Sequence, residues 1–189
     1  MKSILFIFLL SGFVNLSLAQ PLNVVIKYVG SDKKNTISYS PDVKLKWEDF
    51  KAAPVASSNA AAVTMSGFSF KMNYSYSDSE GELIILVTCY FSKNESWGKP
   101  GKKTEHILNH EQHHFDITYI QAMNFMNNLK KEKITSQNYS AVIQQKYKEA
   151  EMAMRAMQDE YDRETENSKN YAAQEKWDEK IVSLLPETS

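Results

Sequence analysis

The four histidines of the chain, His106, His110, His113 and His114, fall within nine residues. The core of that run, His110-Glu111-Gln112-His113-His114, reads H-E-x-x-H. On a helix, positions i and i+4 stack on one face, so His110 and His114 can offer two imidazole nitrogens to one metal ion. Glu111 leaves the same turn, where it can take a proton from a water that the metal makes acidic. Two ligands from one helix with a carboxylate beside them are what a zinc hydrolase needs, with one Zn2+ per chain. Ile107, Leu108, Phe115 and Ile117 fit a packed helix, and neither Pro nor Gly interrupts residues 102–133. The plainer reading is a His-rich polar helix that holds no metal.

A catalytic zinc takes three protein ligands and keeps one open position. His106 cannot share an ion with His114, because eight residues of helix span about 12 Å. His113 lies about 100° round the helix from His114. The third ligand must come from another element, and the end of a second predicted helix offers Asp159, Glu160, Asp162, Glu164 and Glu166. A carboxylate on a buried stripe needs a partner, and a metal ion is one. Asp116 either braces a ring N–H from behind or is an exposed acid. Tyr147 and Tyr161 could donate to an oxyanion, but their spacing assigns them first to the core.

The elements that must position these groups follow from periodicity. Residues 22–29 form a β-rich run, and Thr36 to Tyr39 reads as a second short strand. Val43 to Trp47 alternates apolar and charged residues, which predicts a half-buried strand, with Trp47 and Phe50 as core anchors. Residues 52–62, rich in Ala, Ser and Asn with Pro54, read as a loop. Residues 63–76 and 82–92 alternate across a turn at 77–81, a β-hairpin with a loop of about five residues. Cys89 lies in its second strand and reads as a buried small hydrophobe. Trp97 reads as a plug over the core or as part of a substrate cleft. Helix is predicted over about 103–132 and again over about 139–167, where Ile143, Tyr147, Ala150, Met154, Met157 and Tyr161 step by four and three. A shorter helix at 171–185 carries Trp177, Ile181 and Leu184. The expected fold is α+β: N-terminal antiparallel strands, then the H-E-x-x-H helix laid against a second long helix.

Residues 1–19 read as a secretory signal peptide, with Lys2, an apolar run from Ile4 to Leu10 and Ser17-Leu18-Ala19 before the cut. The expected mature chain, residues 20–189, is one domain with a β-rich part at 20–100 and a helical part at 101–189. It is expected to be secreted or periplasmic, with no stable membrane anchor. Without Lys2, 21 basic residues face 23 acidic ones, a net charge of −2, which is no nucleic-acid-binding composition. One cysteine excludes an internal disulfide, and an exported chain without one suits a bacterial envelope.

The arrangement resembles domain-of-unknown-function family number 922, whose members are described as predicted secreted zinc-dependent proteases. The matching pieces are Leu45-Lys46-Trp47-Glu48-Asp49-Phe50, the block His110-Glu111-Gln112-His113-His114-Phe115-Asp116-Ile117, Tyr161-Asp162-Arg163-Glu164-Thr165, and Gln174-Glu175-Lys176-Trp177. Together they run over most of the mature chain, and the H-E-Q-x-H-F-D block is the most specific. The resemblance implies a zincin-like peptidase acting on a peptide or protein, with His110 and His114 on the metal and Glu111 as general base. Asp162 is preferred as third ligand because it lies in a matching segment and flanks the buried stripe; Glu164 and Glu166 are its rivals. The chain departs from the family at Asn167-Ser168, where a His-Gly or His-Ser often follows the Asp-x-x-Thr segment. If that histidine is the family's third ligand, this chain lacks it. The alternative functions are a non-catalytic zinc-binding envelope protein with an incomplete site, and a small structural module without metal.

Overall fold

The computed structural model describes residues 22–77 and 80–186. The expected signal peptide and its cut after Ala19 lie outside the described residues. The chain is α+β, with strands in its N-terminal half followed by three helices.

The centre of the sheet is strand β5, Glu80–Ser92. One edge of β5 pairs from Glu80 to Phe91 with antiparallel strand β4, Ser66–Ser77; the other takes strands β1, Leu22–Tyr28, and β2, Thr36–Ser38. The antiparallel expectation is corrected at β1, which runs parallel to β5 from Leu22↔Gly81 to Tyr28↔Val87. Alternation tells which face a strand buries, not which way its neighbour runs. The hairpin connection is also shorter than expected: Ser77 pairs with Glu80, leaving only residues 78–79 between the strands. Those two lie outside the described residues.

Alternate side chains of β5, Leu83, Ile85, Val87, Cys89 and Phe91, are fully buried. They pack on Phe115, Ala122, Phe125, Met126 and Leu129 of helix α1, Glu105–Leu129, and on Ile143 and Ala150 of helix α2, Tyr139–Glu164. Each large apolar side chain buried here contributes about 1.5–3 kcal/mol relative to exposure. A second apolar cluster ties Ile117 and Ile120 of α1 and Tyr161 of α2 to Trp177 and Ile181 of helix α3, Tyr171–Leu184. Helix α1 begins at Thr104, whose side chain accepts the Ile107 N–H. That bond satisfies one of the open donors of the first turn. Among the described residues no helix is long and apolar enough to cross a membrane.

Residues 43–47 are not the strand their alternation predicts. The segment is irregular and leads into one 3-10 turn, Trp47–Asp49. Leu45 is buried, but its N–H donates to Gln112 Oε1 of α1 at 2.8 Å rather than to a sheet neighbour. An alternating pattern reports alternating burial, and here a helix side chain meets the backbone's need for a partner. Phe50 is buried against Phe91, with ring centroids 5.1 Å apart. Trp97 is buried in strand β6, Trp97–Gly98, which pairs with strand β3, Ala62–Val63. Gly98 is needed there: a Cβ would stand 2.8 Å from the Trp47 ring.

Candidate metal centre

Helix α1 is unusual in its middle. His110 through Thr118 are all buried, so no face of that stretch is left to water. A buried polar group costs free energy unless it is hydrogen-bonded, and the surrounding elements supply partners. The Asp116 carboxylate accepts from Tyr39 Oη at 2.9 Å and from Gln112 Nε2 at 2.8 Å, and it meets His113 Nδ1 at 2.9 Å. Asp116 is thus a buried acid, and the ring it braces belongs to His113, not to either H-E-x-x-H histidine. The other nitrogen of His113 stands 2.7 Å from Asp178 Oδ1 of α3. Ser66 and Thr118 share a hydroxyl bond of 2.7 Å.

His110 and His114, one helical turn apart, turn their Nε2 atoms toward the end of α2. The two nitrogens are 3.2 Å apart. Asp162 Oδ1 lies 3.1 Å from His110 Nε2 and 3.2 Å from His114 Nε2. The three atoms form a near-equilateral triangle. For a tetrahedral ion with bonds of about 2.0–2.1 Å, ligand atoms stand about 3.3–3.4 Å apart. The His-His-Asp cluster could therefore hold a metal ion.

The surroundings fit that use. His114 Nδ1 lies 2.6 Å from Gln158 Oε1, an acceptor, so Nδ1 carries a proton and donates. In the neutral ring that proton on Nδ1 would leave the Nε2 lone pair for a metal ion. Gln158 is held in turn by donating to the His114 carbonyl and to Thr118 Oγ1. The His110 ring stacks on Tyr161 at 4.5 Å. Among the described residues, the buried Glu111 Oε2 and His110 Nδ1 have no hydrogen-bond partner. A cavity of about 180 Å³ is walled by His110, Glu111, His114 and Asp162, with residues 60–64 and Asn167-Ser168 at its sides.

Electrostatics tie the three groups together. Partial burial pushes the Asp162 carboxyl up, but hydrogen bonds and charge from His110 and His114 outweigh it and hold the group well below the usual carboxylate range. Burial works against charging His114, yet the bond to Asp162, with the nearby charge of Glu111, raises its pKa.

No family model, curated protein or solved structure matches the chain.

Of the residues singled out from sequence, His110, Glu111, His114 and Asp162 come to one cavity. The rival carboxylates do not. Glu164 accepts the Trp177 indole N–H at 2.8 Å, and Glu166 is exposed in a left-handed turn. His106 points away, its Nε2 donating to the Ser168 carbonyl at 2.7 Å while its ring stacks on Tyr171. Tyr147 donates to the Phe68 carbonyl and Tyr161 is wholly buried, so both serve the core. Sequence reasoning missed Gln158. The signal was present, since Gln158 lies four residues before Asp162 and shares its face of α2. It also missed the wall at residues 60–64, where the Thr64 hydroxyl donates to the Glu111 carbonyl at 3.1 Å.

Proposed function

We propose that the chain is a zinc-dependent peptidase, exported after removal of residues 1–19. The observation that carries this reading is the His110–His114–Asp162 triangle on the same cavity wall as the unpartnered Glu111 Oε2. Two imidazoles and a carboxylate are a donor set that suits zinc. His110, His114 and Asp162 would hold the ion, which when bound acidifies water and polarises a carbonyl. Glu111 takes a proton from the attacking water and returns it to the leaving amine. Gln158 keeps His114 in the tautomer that leaves Nε2 free, and Tyr161 holds the His110 ring flat against α2. The packing of the H-E-x-x-H helix on a second long helix supplies the third ligand in this reading.

Residues 20–189, purified, should carry about one zinc per chain, and His110→Ala with His114→Ala should remove it. Glu111→Gln should keep the zinc and the thermal midpoint while peptide hydrolysis falls on the order of 10²–10⁴-fold. Full activity in Glu111→Gln on a peptide that the wild type cleaves would sink the mechanism. A second reading, a metal-binding envelope protein without hydrolytic activity, draws on Asn167 lining the cavity, at the place where the resembled family often carries a histidine. Zinc content without chelator-sensitive hydrolysis would favour it.

A further inference from the structure

A second cavity, of about 410 Å³, adjoins the metal-site cavity and shares five wall residues with it: Ala60, Ala61, Ile107, Asn167 and Ser168. The two are neighbouring chambers of one cleft, and their charges are opposite. Glu111 and Asp162 line the first. In the second every fully charged lining residue is a lysine: Lys99, Lys102 and Lys169. Among the described residues, none of these three has a carboxylate within ion-pairing distance, although Lys71, Lys93, Lys146 and Lys180 each do.

The chamber is also built. Half-buried Lys99 is braced by donating from Nζ to the Ser58 carbonyl, and its backbone N–H donates to Ala61 O. The floor contains the first turn of α1, at His106 and Ile107, and Tyr171, the first residue of α3. Both helix N-termini therefore add partial positive charge on that side. The rim between the chambers is a turn with three successive left-handed residues, Glu166, Asn167 and Ser168, at φ 51°, 52° and 70°. Such a run is costly and persists only where neighbours fix it. His106 fixes it by donating to Ser168 O, and the Asn170 N–H donates to Thr165 O.

Resting on the peptidase reading above, we propose that this lysine-lined chamber is a subsite for a carboxylate of the substrate, close to the bond that is cut. Two sources present that chemistry: an Asp or Glu side chain within the peptide, or the C-terminal carboxylate of a short peptide. Unpaired lysines at the edge of a water-accessible cleft attract such a group and set selectivity more than raw affinity.

The test is a binding measurement on the zinc-loaded, ¹⁵N-labelled chain. Four probes are titrated separately: N-acetylglutamate α-amide, with only a side-chain carboxylate; N-acetylglutamine, with only a terminal one; neutral N-acetylglutamine α-amide; and inorganic phosphate. One of the carboxylate probes should shift the backbone amides of Ala60, Ala61, Ser168 and Tyr171 saturably, while the neutral probe leaves them in place. The stronger carboxylate identifies the source. Lys102→Gln and Lys169→Gln, both at exposed side chains, should each weaken it roughly two- to fivefold without moving the thermal midpoint. Equal shifts from the neutral probe, tighter binding of phosphate than of either carboxylate, or unchanged affinity in both lysine variants would each overturn the proposal. Hydrolysis is scored separately. Selective carboxylate binding by a chain that cleaves nothing overturns the peptidase reading and leaves the subsite. Cleavage indifferent to acidic residues, with no carboxylate binding, does the reverse.

Discussion

The two halves of α1 are built on different principles. From Tyr119 to Leu129 the helix is amphipathic: Ala122, Phe125, Met126 and Leu129 are buried, while Asn124, Asn127 and Asn128 face water. From His110 to Thr118 it has no outward face, and six of the nine buried residues before Ile120 are His, Glu, Gln or Asp. The first kind of burial is non-directional and tolerates any neighbour of the right size. The second is directional. A polar atom buried there needs a partner at a set distance, and those partners come from Tyr39, Leu45, Thr64, Ser66, Gln158, Asp162 and Asp178. One half holds the fold together; the other arranges a site at the cost of needing several distant segments in register.

Cutting into the apolar half should have the largest effect on stability. Phe125→Ala should lower the unfolding free energy by about 3–5 kcal/mol, measured by urea titration, while zinc per folded chain stays unchanged. A loss of zinc from correctly folded Phe125→Ala would show that the halves are not separable. In the polar half, Asp162→Asn should cost more than tenfold in zinc affinity, because a neutral amide is a poor ligand beside a carboxylate; Glu164→Gln should cost none. Retained zinc in the first with loss in the second would transfer the ligand role. Gln158→Ala should reduce zinc affinity by roughly 10- to 100-fold, with little change in melting temperature, since it removes an orienting group and not a core side chain.

A subtler effect concerns acidity in the chelator-treated chain. The folded pKa of Asp162 lies below its unfolded value of about 3.9, so its contribution is present above about pH 4 and lost as pH falls through the folded value. The folded pKa of His114 lies above its unfolded value of about 6.5, so its contribution is present below about pH 6.5 and lost as pH rises through the folded value. Both are present between about pH 4 and 6.5. Metal-free wild type should therefore lead Asp162→Asn in urea midpoint by more at about pH 5.5 than at about pH 9; an equal lead at both would contradict the assignment. The smallest signal belongs to Cys89. Burial pushes its thiol well up, and native-state labelling should be slow until denaturant is added.

The same contrast explains what could be read before the fold was known. The hairpin, the long helices and the burial of Cys89 follow from apolar periodicity, which survives in the one-dimensional record. The i, i+4 spacing of His110 and His114 is likewise local. Asp162 was within reach because it sits beside a helical stripe, although five acids crowd that end of α2. The partners of Gln112 and His113 were out of reach, because a buried polar residue does not say in sequence who will satisfy it. Residues 43–47 show the converse: a correct alternation of burial was taken for a strand, since periodicity does not tell a sheet neighbour from Gln112. Strand direction at β1 was equally silent.

That parallel pairing has a kinetic meaning. Strand β4 lies beside β5 across two intervening residues, so their hairpin can close on the microsecond scale typical of local β contacts. Strand β1 must instead wait for a partner roughly sixty residues further along the chain, and close that long loop against its entropy. Until it does, one edge of β5 carries unpaired backbone groups from Gly81 to Val87, the kind of edge through which chains associate wrongly. Of the two pairings, that of β1 is therefore expected to form later than the β4–β5 hairpin, and the interval between them leaves an edge open to aggregation.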